Sequence, residues 1–315
     1  MSLDQSWFDA IKQYFLQKFG WHIVYESPIE EYKNFIIAKE ENGQEIYIKI
    51  YTPPFKAIAE KEVQITQRFG EFIKDDNDFS PLVIFFSWAE NDCVYYAMEK
   101  LATMVQFQSM KTEDMYTFYK KYRSVFDKFE EYTEWLCSND STSSKADLAM
   151  YFWQKLEERY THGYPCVAKY IPEVASLTNL LSWIDFDELK DYPQEYCFGH
   201  LWSGGVFEKE GKYILLDFGH VGYKHKYFEI IELMWDNLLL NVKAHTDRDA
   251  YFLAFEERKK FLLEFIPDRQ LSCLLKIKLI GTVFEDWGNL MQKRNASQED
   301  IEKWILRNYE LLKMV

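Results

Sequence analysis

Between Trp7 and Phe19 the apolar residues Phe8, Ile11, Tyr14, Phe15 and Phe19 recur every three or four positions, which predicts a helix stopped at Gly20. The period then changes to two. Trp21 to Tyr25, Asn34 to Ala38 and Glu45 to Tyr51 read as strands, the last two joined through an Asn42-Gly43 hairpin turn. In Glu45 to Tyr51, Ile46, Ile48 and Ile50 fall on one face, and Tyr47, Lys49 and Tyr51 on the other. Phe55 to Ile73 returns to helical spacing and carries Glu60 and Glu62. Pro81 to Ser87 and Val94 to Glu99 read as two more strands around a polar Glu90-Asn91-Asp92 turn.

From about Thr103 the pattern is helical. A long helix starting at Thr112-Glu113-Asp114 reaches Leu136, where Ser138 to Ser144 breaks it; others are expected over Lys145 to Arg159 and Pro172 to Trp183. Tyr196 to Gly222 interrupts with a short strand, a glycine-containing turn, a β-hairpin and a strand ending in Asp217-Phe218-Gly219. Helices resume over Phe228 to Leu240, Ala250 to Phe265, Arg269 to Lys293 and Gln298 to Met314. The order is a helix, a small β region, then a mostly helical region with one β insert, an α+β chain with a boundary near residue 100.

Composition narrows the function. With 48% apolar and 18% aromatic residues, 315 residues can fill sizeable cores. The formal charge of −14 opposes duplex nucleic acid or an anionic membrane as the main partner and suits a neutral or cationic small ligand. Five scattered cysteines, Cys93, Cys137, Cys166, Cys197 and Cys273, include no C-x-x-C pair, so reduced thiols in a cytoplasmic setting are expected. The N-terminus has no basic-then-apolar leader, and no run of about 18 apolar residues occurs.

Three charged residues carry candidate chemistry. Asp217, a carboxylate at a strand end beside a glycine, suits a hard divalent cation held against phosphate oxygens. Lys49 is a mid-strand cation followed by a helix carrying Glu60 and Glu62, of which Glu62 is preferred because the apolar spacing from Glu62 to Phe69 resembles the equivalent helix of small-molecule kinases; the alternative is a solvent-facing lysine on an edge strand and two glutamates on a wet helix face. Met98, with Leu101, could wall an adenine ring where the strand ending at Glu99 leads onward. His220 and His225 flank Gly222 and could join His200 in a transition-metal set, but their spacing matches no helix or hairpin metal site.

On these residues the chain resembles the protein-kinase-like fold in its aminoglycoside phosphotransferase and choline kinase branch, most of all the bacterial spore-coat kinase-like proteins. The resemblance covers nearly the whole chain as an order of elements, with its specific residues at Lys49, Glu62 and the central stretch. It implies a two-lobed fold, with a nucleotide-side lobe over residues 1–100 and a helical lobe over 101–315 that carries the active-site-like loop. Lys49, Glu62 and Met98 would serve the nucleotide, Asp217 the metal, with ATP and Mg2+ as cofactors if the protein is active.

The family's central stretch reads H-G-D-x-H-x-x-N, then a hairpin, then I-D-[FWL]. Here Phe198-Gly199-His200-Leu201-Trp202-Ser203-Gly204-Gly205 and Leu215-Leu216-Asp217-Phe218 align with it. Phe198 stands at the first histidine, His200 at the catalytic aspartate and Gly205 at the metal-ligating asparagine. A neutral imidazole can accept a proton, so His200 is a candidate base; Gly205 offers a metal nothing. The first turn, Ser27 to Lys33, has no glycine and two glutamates that would repel a triphosphate if they pointed inward. Glu229 is the nearest match to the aspartate that braces the family's loop.

Two readings follow. One is a degenerate kinase, a pseudokinase acting as a binding or structural protein, with spore-coat proteins as partners and a cytoplasmic or spore-coat location. The other is a working phosphotransferase for a small hydroxylated substrate, with His200 as the base. Neither calls for nucleic acid or a membrane, and both leave the oligomeric state open.

Overall fold

The structure is a computed structural model and describes residues 5–26, 33–40, 43–90, 93–137, 147–172, 176–201, 204–240, 247–293 and 297–315. The chain divides into two compact units. The first comprises residues 1–106, 120–134 and 198–221, and the second residues 107–119, 135–197 and 222–315.

The first unit is built on an antiparallel sheet of β1 (His22–Glu26), β2 (Lys33–Lys39), β3 (Glu45–Tyr51), β4 (Ile84–Glu90) and β5 (Cys93–Glu99), in the order β1-β2-β3-β5-β4. The strict alternation in β3 gives the sheet two different faces. Ile46, Ile48 and Ile50 meet helix α1 (Gln5–Phe19) through Ile11 and Phe15, and Phe15, Phe19 and Trp21 stack as a group. Burying such side chains contributes about 1.5–3 kcal/mol each before chain entropy is counted. The opposite face, Tyr51, Val94, Tyr96 and Met98, packs beneath Ala59 and Val63 of helix α2 (Lys56–Phe72). β3 is a central strand, so the edge-strand alternative for Lys49 does not hold.

Within the same unit, β6 (Thr103–Met104), β8 (Val206–Lys209) and β9 (Lys212–Leu215) form a second sheet. β9 is tied to the chain after α2, because Ser80 donates its N–H to Tyr213 O (2.8 Å) and Tyr213 donates its N–H to Asp78 O (2.8 Å). The middle of helix α3 (Thr112–Cys137) belongs here as well, with Phe126 and Phe129 packed on Phe69 of α2.

The second unit holds a two-stranded sheet, β7 (Gln194–Cys197) against β10 (Gly222–His225), and a set of helices: α4 (Leu148–Val167), α5 (Leu177–Leu181), α6 (Phe186–Leu189), α7 (Phe228–Leu240), α8 (Arg248–Leu262), α9 (Asp268–Lys293) and α10 (Gln298–Met314). α4 and α9 cross where the backbone of Gly163 lies against Phe284 O. Asn308 of α10, fully buried, accepts from Tyr251 Oη (2.9 Å) and donates to Trp304 O (2.9 Å).

Most predicted elements are present, and the departures have local causes. The strand expected from Pro81 begins at Ile84; Pro81 has no N–H for the ladder, and Val83 donates its N–H to the Glu99 carboxylate (3.1 Å). The helix expected over 172–183 is confined to Leu177–Leu181, capped by the Ser176 hydroxyl, with 173–175 outside the described residues. α4 runs past Arg159 and takes in Pro165, and residues 103–104 are a strand rather than helix. The Ser138–Ser144 loop, the Ser27–Tyr32 part of the first turn, Asn42 and Asn91-Asp92 lie outside the described residues.

Candidate active site

Lys49, Glu62 and Asp217, which are 168 residues apart at the extremes, meet in the first unit. Lys49 Nζ donates to Glu62 Oε1 at 2.6 Å and to Asp217 Oδ1 at 2.8 Å. The strand alternation that aims Lys49 away from the isoleucines aims it at α2, where it is 2% exposed. Glu62 lies on the buried stripe of α2 with Ala59, Val63 and Thr66 and is fully buried, whereas Glu60 is 59% exposed and pairs with Lys56. The preference for Glu62 over Glu60 matches that helical phase.

Two residues that the sequence reading passed over complete the cluster. The hydroxyl of Tyr51 donates to Glu62 Oε2 and that of Tyr96 donates to Glu62 Oε1. Tyr96 stands directly opposite Lys49 in the β3–β5 register, with its ring centroid 5.2 Å from Nζ. Tyr51 could have been found from the alternation that found Lys49. Tyr96 could not, because strand pairing is not written in one strand.

Burial alone would depress the Lys49 ammonium, but the carboxylates of Glu62 and Asp217 outweigh it and hold the ammonium well above the ordinary lysine range. Burial, and then the Glu62 charge, push the Tyr96 phenol up, so it remains a neutral donor.

Asp217 follows β9 with a left-handed backbone (φ 84°, ψ 53°), uncommon for a residue with a side chain and costing about 1–2 kcal/mol. The next residues fix that turn. Phe218 is buried against Phe69 and Phe198 (5.1 and 4.9 Å between ring centroids), and Gly219 lies on the Glu62 carboxylate. Phe198, at the motif's first-histidine position, is core, and its N–H donates to Tyr122 Oη (3.0 Å).

His200 Nε2 is 3.5 Å from Asp217 Oδ2, and its ring stacks on His220 at 5.0 Å and 10°. Gly199, at φ 78°, lies so close to His220 O that an added Cβ would be 2.2 Å from it. Gly205 is similarly tight, its Cβ position being 2.3 Å from His200 O and 2.8 Å from the His200 ring. The carbonyl of Gly205 accepts from Leu216 N–H at 2.9 Å.

The remaining candidates fall elsewhere. Met98 is 1% exposed in the packing beneath α2. Glu229 is buried at the start of α7. His225 is buried in the second unit between the rings of Phe152 and Phe228, apart from the cluster's unit. Trp202 and Ser203 lie outside the described residues.

Asp217 is the carboxylate that could meet a magnesium ion, with Oδ1 bonded to Lys49, and Gly205 has no side chain to offer it; among the described residues no group of three His, Cys, Asp or Glu side chains could hold a metal, so the ion's other ligands would have to be phosphate oxygens and water.

A five-stranded antiparallel sheet carrying a lysine–glutamate pair under one helix, with a predominantly helical remainder, is the two-lobed protein-kinase-like fold, and this chain has it. Solved structures sharing it include APH(2")-IIia in complex with GDP and kanamycin, at 11% identity over 97% of each chain with a TM-score of 0.56. A mutant aminoglycoside 2'-phosphotransferase IIIa with GDP covers 99% of this chain and 97% of its own at 11% identity, with a TM-score of 0.53. Amicoumacin kinase hAmiN with AMP-PNP, Ca2+ and Ami covers 99% and 94% at 14% identity, with a TM-score of 0.50. No protein-family model matches the chain, and no curated protein matches it in sequence.

Proposed function

We propose that this protein is a kinase-fold binding protein in which phosphoryl transfer is impaired, a pseudokinase of the small-molecule phosphotransferase type. The observation that carries the reading is the contact between Gly205 and His200. The position that would hold a metal-ligating side chain has its Cβ direction filled by a backbone carbonyl, and the position that would hold the base carboxylate is an imidazole stacked on His220. Lys49 and Asp217, the residues that would serve phosphate and metal, are bonded to each other. Of the chain's own groups, Asp217 would hold magnesium, which would supply charge neutralisation on a phosphate, with no second side chain at 205 to complete its shell.

The ligand class we propose is a small molecule, in line with the neighbour that holds kanamycin and with a formal charge of −14 that disfavours polyanions. A spore-coat setting, with coat proteins as partners, rests on the sequence resemblance alone. Isothermal titration with ATP and magnesium tests the main reading. Weak or absent binding is expected; tight, metal-dependent binding that Asp217→Ala abolishes would overturn it.

A further inference from the structure

We infer that Tyr51 and Tyr96 are positioning residues for Lys49: their phenols occupy Glu62 so that the ammonium is directed to Asp217. The argument begins with Glu62, a fully buried carboxylate that accepts from three donors. An ammonium next to an open carboxylate can settle between both oxygens. Here Oε2 is taken by Tyr51, and Oε1 is shared by Tyr96 and Lys49. Lys49 therefore meets Glu62 at one oxygen only, and a second ammonium hydrogen is given to Asp217 Oδ1.

The register of the sheet builds this arrangement. Tyr51 is two residues along β3 from Lys49, on the same face, and Tyr96 is its partner across β5. Both tyrosines are essentially fully buried (0% and 1% exposed), so their hydroxyls cannot turn to bulk water. A buried carboxylate served by two neutral donors also stays satisfied while Lys49 divides its bonds; with one donor it would hold the lysine to itself.

The test follows the Lys49 ammonium in the full-length protein by nitrogen-15 NMR of labelled lysine, with the resonance assigned by its loss in Lys49→Met. In the parent protein, Asp217→Asn should shift that resonance. In the Tyr51→Phe/Tyr96→Phe variant the resonance should move, because the ammonium settles on both oxygens of Glu62, and should no longer respond to Asp217→Asn. Tyr95→Phe, on the same strand but the opposite face, should leave it unchanged. A Lys49 signal that is unmoved in the double variant and still responds to Asp217→Asn overturns the inference. If the double variant loses its native circular dichroism, Tyr51→Phe alone carries the same comparison. The readout is a bond of Lys49 and not nucleotide binding, so this inference and the proposed function can fail separately.

Discussion

Lys49 carries one positive charge and is bonded to two carboxylates, one of them fully buried. Removing one partner of a buried pair leaves the other charge uncompensated, so Lys49→Met is expected to lower stability by about 3–5 kcal/mol in urea denaturation. Adding Glu62→Gln should recover part of that loss, since a neutral amide can still meet both phenols; a double variant no more stable than Lys49→Met would count against the electrostatic account. His225 offers a second test, in the other unit. Burial pushes its imidazole down to about 3, with Lys224 adding to this and Glu232 opposing it. The unfolded chain thus binds a proton that the folded one refuses between pH 6.5 and about 3. This contribution is intact above pH 6.5 and is lost as pH falls, by roughly 1.4 kcal/mol per pH unit. His225→Phe, which fits between the rings of Phe152 and Phe228, should flatten that part of the acid slope, giving the variant an advantage of about 2 kcal/mol more at pH 5 than at pH 7.

At the scale of elements, the β8–β9 hairpin turns through Glu210 and Gly211, both with positive φ (54° and 78°). Glutamate is poorly suited to that conformation and asparagine is better suited, so Glu210→Asn should raise the denaturation midpoint by the equivalent of about 0.5–1 kcal/mol. Elements whose period matched one face of packing were legible in the sequence: β3 from Glu45 to Tyr51, α7 and α10 agree with their predicted bounds. Elements set by tertiary contact were not. β10 is four residues long, opens on a glycine and exists as a strand because β7 lies beside it. The part of α4 beyond Arg159 contains Gly163 and Pro165, which local propensity reads as a stop, yet the glycine is what lets α4 approach the backbone of α9 at Phe284.

For the whole molecule, the fold was anticipated through the order of elements, which resembles that of the kinase-like family: one helix before a small sheet and one within it, which cover its two faces, then many helices. The lysine and aspartate of the cluster were legible through position, a strand centre and a strand end, and the glutamate through the likeness of its helix segment to that of small-molecule kinases. The supporting phenols were not, since tyrosine in a strand is ordinary β composition until pairing puts it opposite a lysine. The sequence also presents Gly205 merely as a missing ligand, whereas the structure gives it a neighbour.

That neighbour bears on any attempt to place an asparagine in this loop. Introducing asparagine at 205 drives its first side-chain carbon into the carbonyl oxygen of residue 200, which belongs to the backbone and so survives exchange of the imidazole for aspartate. The loop must be rebuilt before such a side chain can be accommodated, so a substitution at 205 made alone would give a chain whose loop can no longer pack as it does here.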